Sequence, residues 1–133
     1  QETANDYQMT REEMDEYSIE SLRRANAAID SGAFADEVVP VTFSTRKGEV
    51  TVEHDEQPGK GRPDKIPQLR PAFAKDGTIT AATSSSISDG AAAVVLSRES
   101  VAKANGQQPV AKIVAMAAHA QEPAQFTVAP IGA

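Results

Sequence analysis

Apolar residues recur every three to four positions between residues 9 and 32, a spacing that predicts an amphipathic α-helix. Thr10 and Glu13 have the spacing of a capping box, in which each side chain bonds the backbone N–H of the other residue. Gly32 is expected to end the helix, because glycine readily adopts the left-handed conformation that follows many helices. The predicted apolar stripe consists of Met14, Tyr17, Leu22, Ala25, Ala28 and Ile29.

Two short segments of alternating apolar and polar residues follow the helix and predict a β-hairpin. The first spans residues 38–45 and the second spans residues 49–53, with a turn over residues 46–48. Pro40 suits an edge position, because proline has no N–H to donate to a neighbouring strand.

A long irregular connection is predicted over residues 54–79. Its central part, residues 55–73, contains four prolines and two glycines, which are too many for a regular helix or strand. Connections of this length in compact proteins are usually functional or disordered.

The rest of the chain alternates apolar runs with polar segments. The order of elements suits a piece of an α/β fold, and the given chain taken by itself has α+β character. Residues 78–82 are predicted to be extended, and they precede a polar run of small residues over 83–90. Two apolar runs, residues 91–96 and 110–118, predict strands, the first of them buried on both faces of a sheet.

A short helix is predicted between these two apolar runs. Ser97 is expected to cap it, and Glu99 and Lys103 have the spacing of an ion pair on one helix face. The helix is expected to stop at residues 105–106, and residues 121–133 are predicted to be irregular.

The composition excludes several classes of function. A net charge of −6 and a pI of about 4.9 argue against general binding to nucleic acid or to anionic membranes. An aromatic content of 5% without Trp argues against a stacking platform for single-stranded nucleic acid. The absence of Cys excludes disulfides, thiolate metal sites and a Cys nucleophile within this chain. No apolar run approaches the ~18 residues that predict a membrane span.

Charge is distributed unevenly along the chain. Residues 58–75, hereafter the basic segment, contain five basic residues and one acidic residue, a net charge of +4. Residues 1–20 contain seven acidic residues and one basic residue, a net charge of −6. The basic segment is either a solvated linker or a docking surface for a polyanionic ligand.

The sequence gives little support for a metal site or for a catalytic nucleophile. His54, Asp55 and Glu56 could supply one group of metal ligands, but a solvated loop cluster is the favoured interpretation and no metal site is predicted. His119 lies among small residues, which favours a structural role. The serines at 84–86 have no neighbouring base, so they form either a turn or a surface that a ligand can approach closely.

Three stretches carry a resemblance to a known family. They are TREEMDEYSIESLRRANAAIDSGAFADEVVPV at 10–41, LRPAFAKDGTITAATSSSISDGAAAVVLSRE at 69–99 and VAKIVAMAAHAQEPAQFTVAPIGA at 110–133. With these stretches the chain resembles the thiolase family, which comprises acetyl-CoA acetyltransferases and 3-ketoacyl-CoA thiolases. Since the sequence opens on Gln1 without a start signal, we expect an internal piece of a longer polypeptide; the alternative is a processed small domain.

The resemblance implies a layered α-β-α fold built from two similar halves, with a loop domain inserted in the first half. Residues 1–87 would be part of the CoA-covering loop domain. Residues 88–108 would return to the N-terminal half as a strand and a helix, and residues 109–133 would begin the C-terminal half. A cytoplasmic homodimer or homotetramer that takes part in fatty acid and lipid metabolism is expected for the parent protein.

The resemblance also implies the reaction, which is thioester carbon–carbon cleavage or its reverse, Claisen condensation. In the family a Cys is acylated, a His and a second Cys move protons, and an oxyanion hole stabilises the developing charge. None of these residues can be placed in this chain, so no catalytic residue is assigned. CoA or acetyl-CoA is expected as a substrate and no permanently bound cofactor is expected.

Five residues are expected to contact CoA by this resemblance. Phe73 matches the Phe of the family's P-A-F motif, and Ala81 and Ser85 match positions along the pantetheine arm, where the Ser hydroxyl bonds an amide. Lys60 and Arg62 lie near the place of an Arg beside the CoA nucleotide. The chain departs from the family at Thr83 and Ser84, which replace Asn-Ala, and at Ser86, which replaces a common Gly.

Two functions of different class follow from these observations. The first is a segment of a thiolase that binds CoA and acyl-CoA and works together with the remaining halves. The alternative is a non-catalytic acyl-CoA-binding protein with a degenerate thiolase fold.

Overall fold

The computed structural model describes all 133 residues, which form two compact units. The first unit contains Gln1 and Thr3–Ser85, and the second contains Glu2 and Ser86–Ala133. The helices are α1 (Glu2–Asp6), α2 (Arg11–Asp30), α3 (Glu56–Lys60), α4 (Glu99–Ala104) and α5 (Ala129–Gly132), with 3₁₀ helices at Pro63–Gln68 and Pro123–Gln125. The strands are β1 (Val41–Thr45) and β2 (Gly48–Val52).

Helix α2 begins and ends where the sequence predicts. The Thr10 hydroxyl accepts the Glu13 N–H at 3.2 Å, and the Thr10 N–H donates to the Glu13 carboxylate at 2.9 Å, which completes the capping box. The Thr10 N–H and the Thr10 hydroxyl both donate to the Glu13 carboxylate at 2.9 Å, and these bonds, the backbone one first, lower the pKa of Glu13. At the other end Gly32 adopts a φ of +68° and follows the last turn.

The packed face of α2 differs from the predicted stripe. Tyr17 is 78% exposed, so its assignment to the stripe is wrong. Asp15 is buried instead, and α2 packs against the 3₁₀ helix Pro63–Gln68, whose Ile66 is also buried. The 3₁₀ helix contacts the face of α2 that carries Arg11 and Asp15, and Tyr17 lies outside this face. Apolar spacing alone could not reveal which face of α2 the 3₁₀ helix covers.

The predicted hairpin is confirmed. Strands β1 and β2 are antiparallel, with Phe43 opposite Val50 and Val41 opposite Val52. The connecting residues lead into Gly48, whose φ of +118° is a conformation that favours glycine.

The prediction that residues 54–79 hold no regular element is wrong in part. Asp55 caps α3 by accepting the Gln57 N–H at 3.0 Å, and Pro58 lies in the first turn, where an N–H is not needed. Pro63 occupies the same kind of position at the start of the 3₁₀ helix. Two of the four prolines, Pro58 and Pro63, therefore lie in the first turns of short helices and do not interrupt regular structure.

The second unit contains neither predicted strand. Residues 91–96 and 110–118 have no strand structure, and Val95 is 94% exposed. A strand needs neighbours to satisfy its backbone groups, and the only sheet in this chain is the β1–β2 pair. Short helical turns at Pro123–Gln125 and Ala129–Gly132 also replace part of the predicted irregular tail.

Helix α4 is present with a different cap. Its N-cap is Arg98, and the Ser97 hydroxyl bonds the Arg98 carbonyl instead of capping the helix. The Glu99–Lys103 ion pair forms at 2.6 Å, and the helix ends at Asn105 as predicted. None of the helices is both long enough and apolar enough to span a bilayer.

Candidate functional site

Arg11 anchors the basic segment to helix α2. Its Nη2 donates to the carbonyl oxygens of Ile66 at 3.1 Å and Leu69 at 3.0 Å. Its Nε donates to Asp15 Oδ2 at 2.7 Å. The guanidinium therefore bridges a buried carboxylate on α2 and two carbonyls at the end of the 3₁₀ helix.

Gly61 allows the start of the basic segment to approach α2 closely. A Cβ built on Gly61 would lie 2.6 Å from Leu22 Cδ1, well inside van der Waals contact. At this position a side chain larger than hydrogen would require either the Leu22 side chain or the segment to shift.

The two predicted nucleotide-end residues, Lys60 and Arg62, flank Gly61 and are exposed. Lys60 Nζ lies 3.7 Å from Glu56 Oε2, and Arg62 Nε lies 3.8 Å from Asp64 Oδ1. Ion pairs this long and this exposed contribute little to stability, because water and salt screen them. A phosphate group could therefore take the place of either carboxylate at small cost.

Phe73 lies in a loop that is closed by hydrogen bonds. The Ala72 N–H donates to the Ile79 carbonyl oxygen at 2.8 Å, and the Gly77 N–H donates to the Ala74 carbonyl oxygen at 3.1 Å. The Gln1 side chain accepts the Thr78 N–H at 3.0 Å and donates to the Thr78 hydroxyl at 3.2 Å. The loop is thus fixed while Phe73 itself remains 73% exposed.

Thr80 organises the turn that follows, residues 80–84, hereafter the Thr80 turn. Thr80 is fully buried, at 0% exposure. Its N–H donates to Thr83 Oγ1 at 2.8 Å, and its carbonyl oxygen accepts the Ser84 hydroxyl at 2.7 Å. The Thr80 hydroxyl in turn accepts the Ala82 N–H at 3.2 Å. The hydroxyls of Thr83 and Ser84, both departures from the family pattern, are used inside the turn.

Ser85 stands directly beyond this turn. It is exposed, and its hydroxyl has no hydrogen-bond partner within the protein, in contrast to the hydroxyl of Ser84. Ala81 is exposed as well. An ordered turn followed by a free hydroxyl is suited to bonding an amide of a bound ligand.

The five predicted residues all lie in the first unit, in two groups. Lys60 and Arg62 lie at the start of the basic segment, while Phe73, Ala81 and Ser85 lie on the loop and turn joined by the Ala72–Ile79 bond. A separate groove of about 520 Å³ between α2 and Pro63 is lined by none of the five.

Sequence reasoning did not identify the contacts of Arg11, Asp15 and Thr80, which hold the basic segment and the Thr80 turn in place. The signal for the first two was present, because an Arg and an Asp four residues apart share one helix face. The bonds of Thr80 join residues only two to four positions apart, so the hydroxyl residues at 80, 83 and 84 were the available signal for this turn. No cluster of three or more His, Cys, Asp or Glu residues that could hold a metal is present.

Comparison with known proteins gives a consistent result. Residues 1–100 match the family model described as "Thiolase, N-terminal domain". An acetyl-CoA acetyltransferase of Yarrowia lipolytica is 51% identical over 122 residues, which are 92% of this chain and 31% of that protein. An acetyl-CoA acetyltransferase of Escherichia coli is 44% identical over 131 residues, which are 98% of this chain and 33% of that protein.

Solved structures give the same result. The Acat5 thiolase of Ascaris suum, solved in complex with coenzyme A, matches with a TM-score of 0.80 and 44% identity over 96% of this chain and 32% of that one. The acetyl-CoA acetyltransferase of Bacillus anthracis matches with a TM-score of 0.71 and 43% identity over 80% of this chain and 27% of that one. The chain spans about a third of the length of the curated relatives it matches.

Proposed function

The chain belongs to the thiolase family and has its α/β fold, and we propose that it is the part of an acetyl-CoA acetyltransferase that covers bound CoA or acyl-CoA. The observation that carries this proposal is the free hydroxyl of Ser85 beyond the ordered Thr80 turn. The Ascaris suum thiolase, which was solved with coenzyme A, is similar over nearly the whole chain and supports the choice of ligand.

The proposed site divides the ligand between its two ends. Lys60 and Arg62 would face the phosphates of the nucleotide, where charge-assisted bonds are strong but salt screens exposed groups. Phe73, Ala81 and Ser85 would line the neutral pantetheine arm. Most of the affinity is expected from the arm, because apolar contact and a desolvated hydroxyl are less sensitive to salt.

The reaction that we propose for the whole protein is thiolytic cleavage of a 3-ketoacyl-CoA or the reverse condensation. This chain contains no Cys, so the thiolate that is acylated must be supplied by another part of the protein. The contribution of these residues is to bind and orient the CoA thioester, which lowers the entropic part of the barrier.

The organisation predicted from the sequence is retained as part of the proposal. Residues 1–87 would form the loop domain, residues 88–108 would return to the N-terminal half and residues 109–133 would begin the C-terminal half. The exposed apolar run at 91–96 suits a strand that pairs with the rest of such a protein. A homodimer or homotetramer and a cytoplasmic location also stay predictions; the name of the Gibberella zeae relative places that protein in mitochondria.

The test uses the full-length protein that carries this chain. Calorimetric titration with CoA and an assay of CoA-dependent cleavage of a 3-ketoacyl-CoA are expected to show both binding and turnover. Binding without turnover would replace the proposal by the non-catalytic acyl-CoA-binding alternative, which the acetyltransferase names of the relatives do not favour. The absence of binding would overturn both.

A further inference from the structure

We propose that Arg11 and Asp15 form a positioning pair that sets the geometry of CoA binding without touching the ligand. The inference rests on the proposed function, since it concerns how the same binding residues are held. The pair lies on helix α2, and its contacts reach the carbonyls of Ile66 and Leu69 in the basic segment.

Stability alone explains the Arg11–Asp15 pair poorly. The Asp15 side chain is only 7% exposed, and its Oδ1 has no hydrogen-bond partner. A buried carboxylate oxygen without a donor opposes folding, and a buried ion pair often stabilises a protein no more than apolar residues of the same size would. A role in fixing position accounts for keeping the pair despite this cost.

The geometry of the Arg11 guanidinium suits a positioning role. Nε is directed to Asp15, whereas Nη2 is shared by the carbonyls of Ile66 and Leu69. Arginine has a planar fork of donors with fixed separations, whereas the donors of lysine radiate from a single nitrogen. Lysine at this position would keep the charge and lose the spacing between the carboxylate and the two carbonyls.

A displacement of the basic segment would reach the residues proposed to bind the ligand. Pro67 directly follows Ile66, and Pro71 lies two residues after Leu69, so φ is fixed at both places. The next residue, Ala72, is bonded to Ile79, which immediately precedes the Thr80 turn. A shift at Leu69 would therefore be passed on to Phe73 and to the segment that leads to Ser85.

The experiment compares Arg11→Lys with wild type in the full-length enzyme. We expect the KM for CoA to rise about five- to tenfold, with kcat changed by less than about twofold. The reason is that the lost interaction aligns residues that bind a part of the ligand remote from the reacting carbon. Arg24→Lys is the matched control, since Arg24 lies on the same helix, is 74% exposed and bonds only Glu20. The control is expected to leave both constants unchanged.

A second measurement separates positioning from a general loss of structure. If Arg11 acts through Phe73, Arg11→Lys should raise the KM for CoA much less in a Phe73→Ala background than in wild type. Asp15→Asn, which keeps the size of the side chain, provides an independent variant if Arg11→Lys fails to fold. Equal effects of Arg11→Lys in both backgrounds, or no change in KM, would overturn the inference while leaving CoA binding by wild type intact. If wild type itself does not bind CoA, the proposed function fails and the inference fails with it.

Discussion

Ala72 and Ile79 are joined by a backbone hydrogen bond of 2.8 Å, in which the Ala72 N–H donates to the Ile79 carbonyl oxygen. Phe73 follows the donor and Thr80 follows the acceptor, so one bond links the loop that carries the aromatic residue to the turn that precedes Ser85. The two parts of the proposed arm-binding surface share this connection, and substitutions on either side of it test their contributions.

Ser84 and Ser85 are adjacent and should respond oppositely to loss of the hydroxyl. Ser85→Ala is expected to weaken CoA binding by about 1 kcal/mol, roughly fivefold in KM, because it removes one hydrogen bond to the ligand. Stability should not change, since the Ser85 hydroxyl has no partner within the protein. Steady-state kinetics and thermal unfolding of the full-length protein measure the two effects.

Ser84→Ala is the matched control for that experiment. Its hydroxyl donates to the Thr80 carbonyl oxygen at 2.7 Å, so its removal should lower stability by about 1 kcal/mol. Any rise in KM should be smaller than in Ser85→Ala. Unchanged kinetics in Ser85→Ala would remove Ser85 from the proposed site.

Phe73→Ala should raise the KM for CoA more than it lowers kcat. A contact remote from the reacting carbon binds the ground state and the transition state alike, so its loss appears mainly in KM. The free protein should lose little stability, because Phe73 is largely exposed. Phe34→Ala is the control, since Phe34 is also exposed and lies outside the proposed site. Equal changes in the two variants would contradict a specific role for Phe73.

Gly61→Ala should displace the start of the basic segment. The added methyl group would overlap the Leu22 side chain, and overpacking of this kind costs about 1–3 kcal/mol. Thermal unfolding should detect the loss, and the KM for CoA should rise because Lys60 and Arg62 flank the displaced residue.

Two further variants test the cause of that loss. Gly59→Ala places a methyl group where nothing lies within 4 Å, and alanine is favoured over glycine in a helix such as α3, so this variant should not lose stability. Leu22→Ala in combination with Gly61→Ala should restore part of the stability by removing the overlap. A combined loss equal to the sum of the separate losses would show that the two residues do not compete for the same space.

The parts of the fold that the sequence predicted correctly are those fixed by neighbouring residues. The capping box at Thr10, the glycine that follows α2 and the β1–β2 hairpin all depend on contacts within a few residues. Local chemistry decides such features, so a local pattern is enough to find them.

The features that could not be predicted depend on partners distant in sequence. The buried state of Asp15 is set by the 3₁₀ helix at Pro63–Gln68, which lies about fifty residues further on. The strands predicted at 91–96 and 110–118 rest on apolar runs that have no sheet neighbour in this chain. For the proposed site, the resemblance named the residues that are expected to face the ligand, but only the structure revealed the bonds that hold them.

Glu20 should make the stability of α2 depend on pH in the acid range. Arg23 donates to its carboxylate at 2.7 and 2.8 Å, and Arg24 donates at 2.7 Å. These bonds, those from Arg23 first, lower the pKa of Glu20 from its ordinary value of 4.5 to about 2. Since the folded pKa lies below the unfolded value, the stabilisation is fully present above pH 4.5 and is lost as the pH falls towards 2.

The measurement is an NMR titration of the Glu20 side-chain carboxyl in the chain and in a variant that combines Arg23→Gln with Arg24→Gln. The pKa should return towards 4.5 in the variant, because both donors are gone. High salt should raise the pKa in the unmodified chain, since these exposed charges are screened. Thermal unfolding of Glu20→Gln should show a smaller loss between pH 4.5 and 2 than the unmodified chain does. If the Glu20 carboxyl titrates at the same pH with and without Arg23 and Arg24, the two arginines do not bond it in solution.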